Sequence, residues 1–271
     1  ASLEGCVPPP PTEPVAIDPC LGQPLAIVDE EEQWTYEAGA KVAWLDGRLT
    51  TNLAVYHIDW ENQGLFTIAR ILQTTGTYLT TSIIRNVGES QVDGLELETS
   101  FRVTDRLSLL ANYGYTDSRY VEGTDPVLEE LTGDGNLNDR KVPNIPRHTV
   151  ILGALATAPA GPDAEVFLNA DYAYTTKRYT HANNLSWLGE DLTLNLRAGV
   201  QTPSWTFTAY VRNLTDDDTP VAALDFVNFG TVDVNYPVNG FGNLLNDKDP
   251  RLFSLNPKRG RDWGLEVQYR F

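Results

Sequence analysis

The last eleven residues, Arg261-Asp-Trp-Gly-Leu-Glu-Val-Gln-Tyr-Arg-Phe271, separate cleanly into two faces. One carries Trp263, Leu265, Val267, Tyr269 and Phe271; the other carries Asp262, Gly264, Glu266, Gln268 and Arg270. Strict period-two alternation is the signature of a strand with one apolar and one wet face. Aromatic residues stand at both ends of the apolar row, with aliphatic residues between them. A membrane-crossing strand of about ten residues has that order, an aromatic girdle at each interface and a hydrocarbon-facing band between. Taken alone, the stretch also fits an amphipathic edge strand of a soluble sandwich.

The same pattern recurs upstream. Gln33 to Leu45 places Tyr36, Ala38, Ala40, Val42 and Trp44 on one face, and Leu45-Asp-Gly-Arg48 is a tight hairpin turn signalled by Asp-Gly. Leu49 to Trp60 is strand-like, though less regular, and Glu61 to Thr81 is polar. Ser90 to Val103 alternates sharply and is joined by Thr104-Asp105 to a strand with Leu107, Leu109, Ala111, Tyr113 and Tyr115 on one face. A Gly/Asp/Asn-rich loop from Glu122 to Asn144 precedes strands at Pro146–Thr157 and Ala164–Thr175. A medium loop, His181 to Glu190, leads to Leu192–Val200, the turn Thr202-Pro-Ser204, a strand over Trp205–Val211, and a long loop from Thr215 to Gly260.

About nine strands result, with short and long connections in alternation, as in a meander with short periplasmic turns and long extracellular loops. With Phe271 periplasmic, Trp44, Trp205, Tyr269 and Phe271 group at the periplasmic rim; Trp60, Tyr115, Tyr174 and Trp263 group at the outer rim. The expected fold class is therefore all-β: a transmembrane antiparallel up-and-down β-barrel. Single-chain bacterial barrels use even strand numbers, so nine strands read as the C-terminal part of a larger barrel.

Composition agrees. Hydrophobic residues make up 41% of the 271 residues, and no run approaches the ~18 apolar residues of a transmembrane helix. Lys+Arg number 20 against 37 Asp+Glu, a net charge of −17, which argues against nucleic acid as a partner. Residues 1–32 are Pro-rich and acidic and read as an extracellular loop, with 33–271 as the barrel portion. Cys6 and Cys20 bracket its Val-Pro-Pro-Pro-Pro-Thr-Glu-Pro stretch, an even pair that reads as a local disulfide of an oxidising compartment. Two free thiols and a lipoprotein-type Leu3-Glu-Gly-Cys6 are the alternatives.

Several stretches carry a family resemblance. They are Tyr36-Glu-Ala-Gly-Ala-Lys41 followed by Leu45-Asp-Gly-Arg-Leu49; Asn86-Val-Gly-Glu-Ser-Gln-Val-Asp-Gly-Leu-Glu-Leu-Glu98; Val142-Pro-Asn-Ile-Pro146 with Arg147; Tyr210-Val-Arg-Asn-Leu-Thr-Asp216; and the closing Arg259–Phe271. In order and spacing they resemble the β-barrel of TonB-dependent outer-membrane receptors. The resemblance implies the last nine of 22 strands, with the plug domain that fills the lumen, and the segment that meets TonB, lying upstream. It implies location in the outer membrane of a Gram-negative bacterium, contact with outer-membrane lipid, and a closing strand whose terminal Phe271 is read by the barrel assembly machinery. It also implies active import of a scarce small-molecule ligand: an iron–siderophore-like chelate, cobalamin or a glycan. No cofactor and no catalysis are implied. A porin or autotransporter-type translocator is the first alternative, although the Pro-rich residues 1–32 suit no lumenal helix. A barrel enzyme is the second.

Candidate chemistry is sparse. His57, His148 and His181 have no second histidine or cysteine at i+2 or i+4, and Cys6 and Cys20 lie far off in sequence, which argues against a zinc site. His181 with Ser186 or Asp191 is the nearest approach to a catalytic set. Asp134, Asn136 and Asn138 in Gly133–Asp139 have calcium-loop spacing, but Asp139 stands where the turn glycine belongs, which favours a solvated Asn/Asp turn. Asp216-Asp-Asp218 reads as solvated loop. Glu96, Glu98, Arg102, Arg197, Arg212, Glu266 and Arg270 fall on the lumen face. Ligand is expected at the outer-loop aromatics, chiefly Tyr179, Trp187, Phe229 and Tyr236, with Phe66, Tyr78, Phe226 and Phe241 beside them.

A Cys6–Cys20 disulfide is expected to stabilise its loop by roughly 3 kcal/mol on the chain-entropy model. Mass spectrometry of non-reduced protein should find the two thiols oxidised; two free thiols would remove the claim.

Overall fold

The computed structural model describes residues 28–72, 78–86, 88–125, 128–129, 132–227 and 251–271. Cys6 and Cys20, and nearly all of the expected Pro-rich loop, lie outside the described residues. The strands are β1 (Glu32–Trp44), β2 (Leu49–Glu61), β3 (Gly64–Leu72), β4 (Tyr78–Asn86), β5 (Gly88–Thr104), β6 (Leu107–Gly123), β7 (His148–Pro159) and β8 (Glu165–Thr175). They continue as β9 (Arg178–Tyr179), β10 (Trp187–Leu188), β11 (Asp191–Gln201), β12 (Trp205–Arg212), β13 (Ala222–Val227), β14 (Arg251–Asn256) and β15 (Asp262–Tyr269).

Nine strands form one sheet in the order β1-β2-β5-β6-β7-β8-β11-β12-β15, every neighbour antiparallel. These are the nine strands that the alternation predicts. The sheet is open: β1 and β15 are its edges among the described residues. The remaining strands pair as hairpins β3/β4, β9/β10 and β13/β14, in stretches where the sequence reading places no strand: the polar segment from Glu61 and its continuation, the medium loop about His181–Glu190 and the long loop Thr215–Gly260. Their signal is weak because each pairs only with its own partner, so no apolar row needs to continue across a wide sheet.

Turn chemistry sets the short connections. Leu45, Asp46 and Gly47 all have positive φ (53°, 55° and 80°), and the Gly47 and Arg48 amides donate to the Trp44 and Leu45 carbonyls at 3.0 and 3.1 Å. Arg48 then reaches across, its Nε donating to the Arg102 carbonyl at 3.1 Å and its Nη2 to that of Val103. The Thr202 hydroxyl accepts from the Trp205 amide at 3.0 Å and closes the β11/β12 turn.

The registers assign the faces. One carries Tyr36, Ala38, Ala40, Val42 and Trp44, then Leu53 and Val55, Leu95 and Leu97, Tyr113 and Leu109, Val150 and Leu152, Leu168 and Tyr172, Leu194 and Leu196, Phe207, and finally Trp263, Leu265, Val267 and Tyr269. Trp263 and Leu265 are each 79% exposed, an exposure that a soluble sheet of this size would have covered. Rings close the short-turn end of this face, Trp205 against Tyr269 at 4.6 Å and Tyr269 against Phe271 at 5.1 Å. Trp60 is a correction. It stands opposite Gln33 and Ser90, in the row of Asn52, Ala54 and Tyr56, so it belongs to the polar face. Tyr36, stacked on His57 at 6.4 Å, takes the girdle place at this edge.

The mid-sheet has no hydrophobic core. Among the described residues the buried apolar side chains are Val92, Tyr120, Leu128, Leu137, Val142, Ala182 and Leu188. They lie at the outer ends of β5 and β6 and in the connections there, the satellite cluster expected beneath long loops.

Leu196 stands mid-strand, opposite Ala170 and Val211. Leu196→Arg is expected to cost about 2–4 kcal/mol in a membrane-folded barrel, against about 0–1 kcal/mol beyond the lost ring for Trp263→Arg at the interface. Folded yield in vesicles and heat-modifiable gel mobility report the difference; equal damage at the two depths would contradict a lipid-facing sheet.

Candidate functional site

The outer connections are tied into one platform. Between β6 and β7, Asp125 Oδ1 accepts from the Leu128 amide at 2.9 Å, and Leu128 is fully buried. The next turn uses its own side chains. The Asn136 amide donates to Asp134 Oδ1 at 2.9 Å and the Asn138 amide to Asn136 Oδ1 at 2.8 Å. These oxygens therefore cap successive turns, the arrangement expected of an Asn/Asp loop.

This connection grips the one between β8 and β11. The Arg140 Nη1 donates to the Asn183 carbonyl and the Lys141 amide to Asn184 Oδ1, both at 2.6 Å. Asn184 Nδ2 returns a bond to the Lys141 carbonyl at 2.8 Å, and the Asn144 amide donates to the Tyr179 carbonyl at 2.7 Å. Asn184 holds its place with a φ of 54°, a conformation that Asn tolerates better than most residues.

On this platform the structure brings two of the expected aromatics together. Tyr179 and Trp187 are direct cross-strand partners in β9/β10. Lys177 completes the group, its Nζ 5.4 Å from the Tyr179 ring centre and 5.7 Å from that of Trp187. Trp187 is 59% exposed, so the group offers an accessible ring beside a cation. The sequence reading missed Lys177, because nothing in a lone loop lysine distinguishes it from a solvated one. Phe66, Tyr78 and Phe226 fall in β3, β4 and β13; Phe229, Tyr236 and Phe241 lie outside the described residues.

His181 Nδ1 lies 2.8 Å from the Thr180 hydroxyl and 3.4 Å from that of Ser186. Asp191, the acid such a set requires, is instead paired with Lys258 at 2.9 Å. No aligned acid–His–Ser relay is present among these three residues.

A second cluster joins the outer ends of β11, β12 and β15. Asn213, 4% exposed with a φ of 49°, donates through Nδ2 to the Asp217 and Arg259 carbonyls at 2.8 and 3.0 Å. Its Oδ1 accepts from the Asp217 amide at 3.0 Å. Asp217 accepts from the Leu192 and Thr219 amides at 3.0 and 2.8 Å, and Lys258 Nζ lies 3.7 Å from it. Asp216 Oδ1 accepts from the Arg261 amide at 2.8 Å. Asp216 and Asp217 are thus structural acceptors, which corrects the reading of 216–218 as solvated loop. Burial, the largest influence on Asp217, pushes its carboxyl up. The Thr219 and Leu192 amides, the Thr219 hydroxyl and Lys258 together outweigh it and hold the group below its usual value.

The family model for TonB-dependent receptor-like β-barrels matches residues 23–214. The probable TonB-dependent siderophore receptor PiuA of Acinetobacter baumannii is 29% identical over 163 residues, 60% of this chain and 20% of that protein. The metal-pseudopaline receptor CntO of Pseudomonas aeruginosa is 30% identical over 122 residues, 45% of this chain and 14% of its own length. Among solved structures, the ferric yersiniabactin uptake receptor FyuA from Yersinia pestis superposes with a TM-score of 0.63 at 16% identity, covering 89% of this chain and 30% of that one. The PiuA crystal structure gives 0.62 at 20% identity, with 90% and 29% covered. The chain spans about a fifth of the length of the curated relative PiuA (20%).

Asp217→Asn removes a charged acceptor shared by two amides and a lysine, and is expected to weaken the joint by about 2 kcal/mol. Because the folded value is lowered, the carboxylate stabilises the joint above its unfolded pKa of about 4, and the contribution is lost as pH falls through the folded value. Protection of the Leu192 and Thr219 amides, relative to their intrinsic exchange at the same pH, should fall in the variant and, for the native protein, on acidification below about pH 4. Unchanged protection in both would contradict the assignment.

Proposed function

The chain belongs to the TonB-dependent receptor β-barrel family, and from that premise we propose that it forms part of the wall and outer loops of an outer-membrane receptor that imports a metal chelate of siderophore type. The observation that carries the reading is the Lys177–Tyr179–Trp187 group, held on cross-tied outer connections above a sheet whose other face is apolar and exposed. Chelates that strip iron from dilute solution are rich in anionic oxygen donors and often carry aromatic rings. An exposed indole and a flanking ammonium suit both features, the ring by stacking and the cation by charge. The relatives' names support this class: PiuA is a probable siderophore receptor and CntO a metal-pseudopaline receptor.

In this reading the polar face borders the lumen, where the plug domain of the same receptor sits, and energy reaches it through TonB. The apolar face meets outer-membrane lipid, and Trp263, Tyr269 and Phe271 anchor the closing strand at the two interfaces. Phe271 also serves as the mark read by the barrel assembly machinery.

The test is binding and uptake by the receptor that carries this chain. Trp187→Ala and Lys177→Gln should each weaken binding of an anionic ferric chelate by about tenfold, the worth of one ring or cation contact. Tryptophan quenching and radio-iron uptake report it. Wild-type affinity in the double variant would remove the site, and absence of TonB-dependent uptake of any ferric chelate would remove the function.

A further inference from the structure

Alternation decides which face of a strand is apolar but does not decide its register. A slip of one residue inverts the faces, whereas a slip of two leaves every side chain on its own side. On β15 the row Trp263, Leu265, Val267 and Tyr269 would stay outward after sliding two residues along β12. Where strands are joined by a tight turn, the turn itself sets the register. That holds for β1/β2, β5/β6, β7/β8 and β11/β12. The seams β2/β5, β6/β7, β8/β11 and β12/β15 are instead joined by long outer connections, which leave the pairing unspecified.

At three of those four seams an aromatic ring on the polar face stands directly opposite a glycine. The pairs are Tyr56 with Gly94, Phe167 with Gly199, and Tyr210 with Gly264. Each ring occupies the space a Cβ would need. At Gly264 a Cβ would lie 2.5 Å from the Tyr210 Oη and 2.7 Å from its Cζ; at Gly199 it would lie 2.6 Å from the Phe167 Cζ and closer still to the Phe207 carbonyl of β12, so ring and backbone both require glycine there. At Gly94 a Cβ would collide with the phenol end of Tyr56. The other polar-face positions of β15 are Asp262, Glu266 and Gln268, so sliding β15 by two puts a branched-out side chain beneath the Tyr210 ring. Phe167 and Tyr210 are the only aromatics on the polar faces of β8 and β12. Tyr210 is also clamped: Arg212 lies 4.6 Å over its ring and pairs at 3.6 Å with Asp262, its opposite residue on β15.

None of the turn-joined seams has an aromatic opposite a glycine. The fourth loop-joined seam, β6/β7, uses a looser version, Leu110 opposite Gly153, where a Cβ would meet the Leu110 Cβ at 3.3 Å. Tyr113 Oη and His148 Nδ1, 2.9 Å apart, bind its apolar face. We propose that the Tyr56–Gly94, Phe167–Gly199 and Tyr210–Gly264 pairs are register keys, which exclude two-residue slips at the seams where no turn specifies the pairing. Contact between ring and glycine covers the backbone that glycine leaves bare, so the native register gains what a slipped one loses. The inference concerns the sheet and is independent of the ligand.

Cysteine pairs read the register directly, in the full receptor with Cys6→Ser and Cys20→Ser. Thr208→Cys with Glu266→Cys reports the native pairing; Thr208→Cys with Gln268→Cys reports the two-residue slip. With the native key, only the first pair should cross-link. Tyr210→Leu should raise the slipped cross-link about tenfold over its background. Gly264→Ala alone should lower folded yield several-fold, and Tyr210→Ala added to it should restore most of that yield by making room for the Cβ. A slipped pair that stays at background without the ring, or a double variant no better than Gly264→Ala, would overturn the proposal, the second outcome deciding the matter even if Tyr210→Leu does not fold.

Discussion

A sheet bordered by hydrocarbon must satisfy its peptide groups within itself, and the architecture follows from that constraint. Nine antiparallel strands do so in a continuous ladder between β1 and β15, whose outer edges stay open among the described residues. Once the backbone is satisfied laterally, the side chains are free to divide by face, and they do. The apolar row needs no partner layer. This is why Leu265 can be 79% exposed while the few buried apolar residues sit elsewhere, at the outer end. Stability of this sheet comes from the ladder and from cross-strand pairs, rather than from an interior core.

The outer end is organised by a different rule. There the backbone leaves the ladder, so its polar groups must be met by side chains or water. Asn184 does this across two connections, bonding Lys141 of one and His181 of its own, while Asn213 and Asp217 bond backbone groups within the β12/β15 connection and at the start of β11. The Asn-Leu-Thr-Asp run at 213–216 is consequently a joint between three strands. It holds the base of the long connection that carries β13 and β14, while Asn184 couples the β6/β7 connection to the one that presents Tyr179 and Trp187.

Much of the candidate site was legible one residue at a time and illegible as a group. Tyr179 and Trp187 stand out in sequence because large aromatics in a polar loop need a reason to be there. Their pairing depends on a two-residue ladder within the loop, too short to show a period. Lys177 joins them only because the chain reverses, and no spacing rule links it to Trp187. Asp216 and Asp217 were misread for the converse reason: an acidic run looks solvated until the amides of Leu192, Thr219 and Arg261 are seen to converge on it.

What the sequence determined by itself was the strand set, the faces and the family, since alternation and turn chemistry are local properties that survive without knowledge of neighbours. Rows such as Trp263, Leu265, Val267 and Tyr269 declare a face in any register. Trp60 shows the limit, since its side depends on where β2 sits in the pleat, and the irregular run before it blurred the parity. Register across the loop-joined seams, the hairpins within the loops, and the joints at the outer rim were decided by the tertiary structure alone. Each rests on contacts between residues distant in the chain, and a period of two is blind to a shift of two.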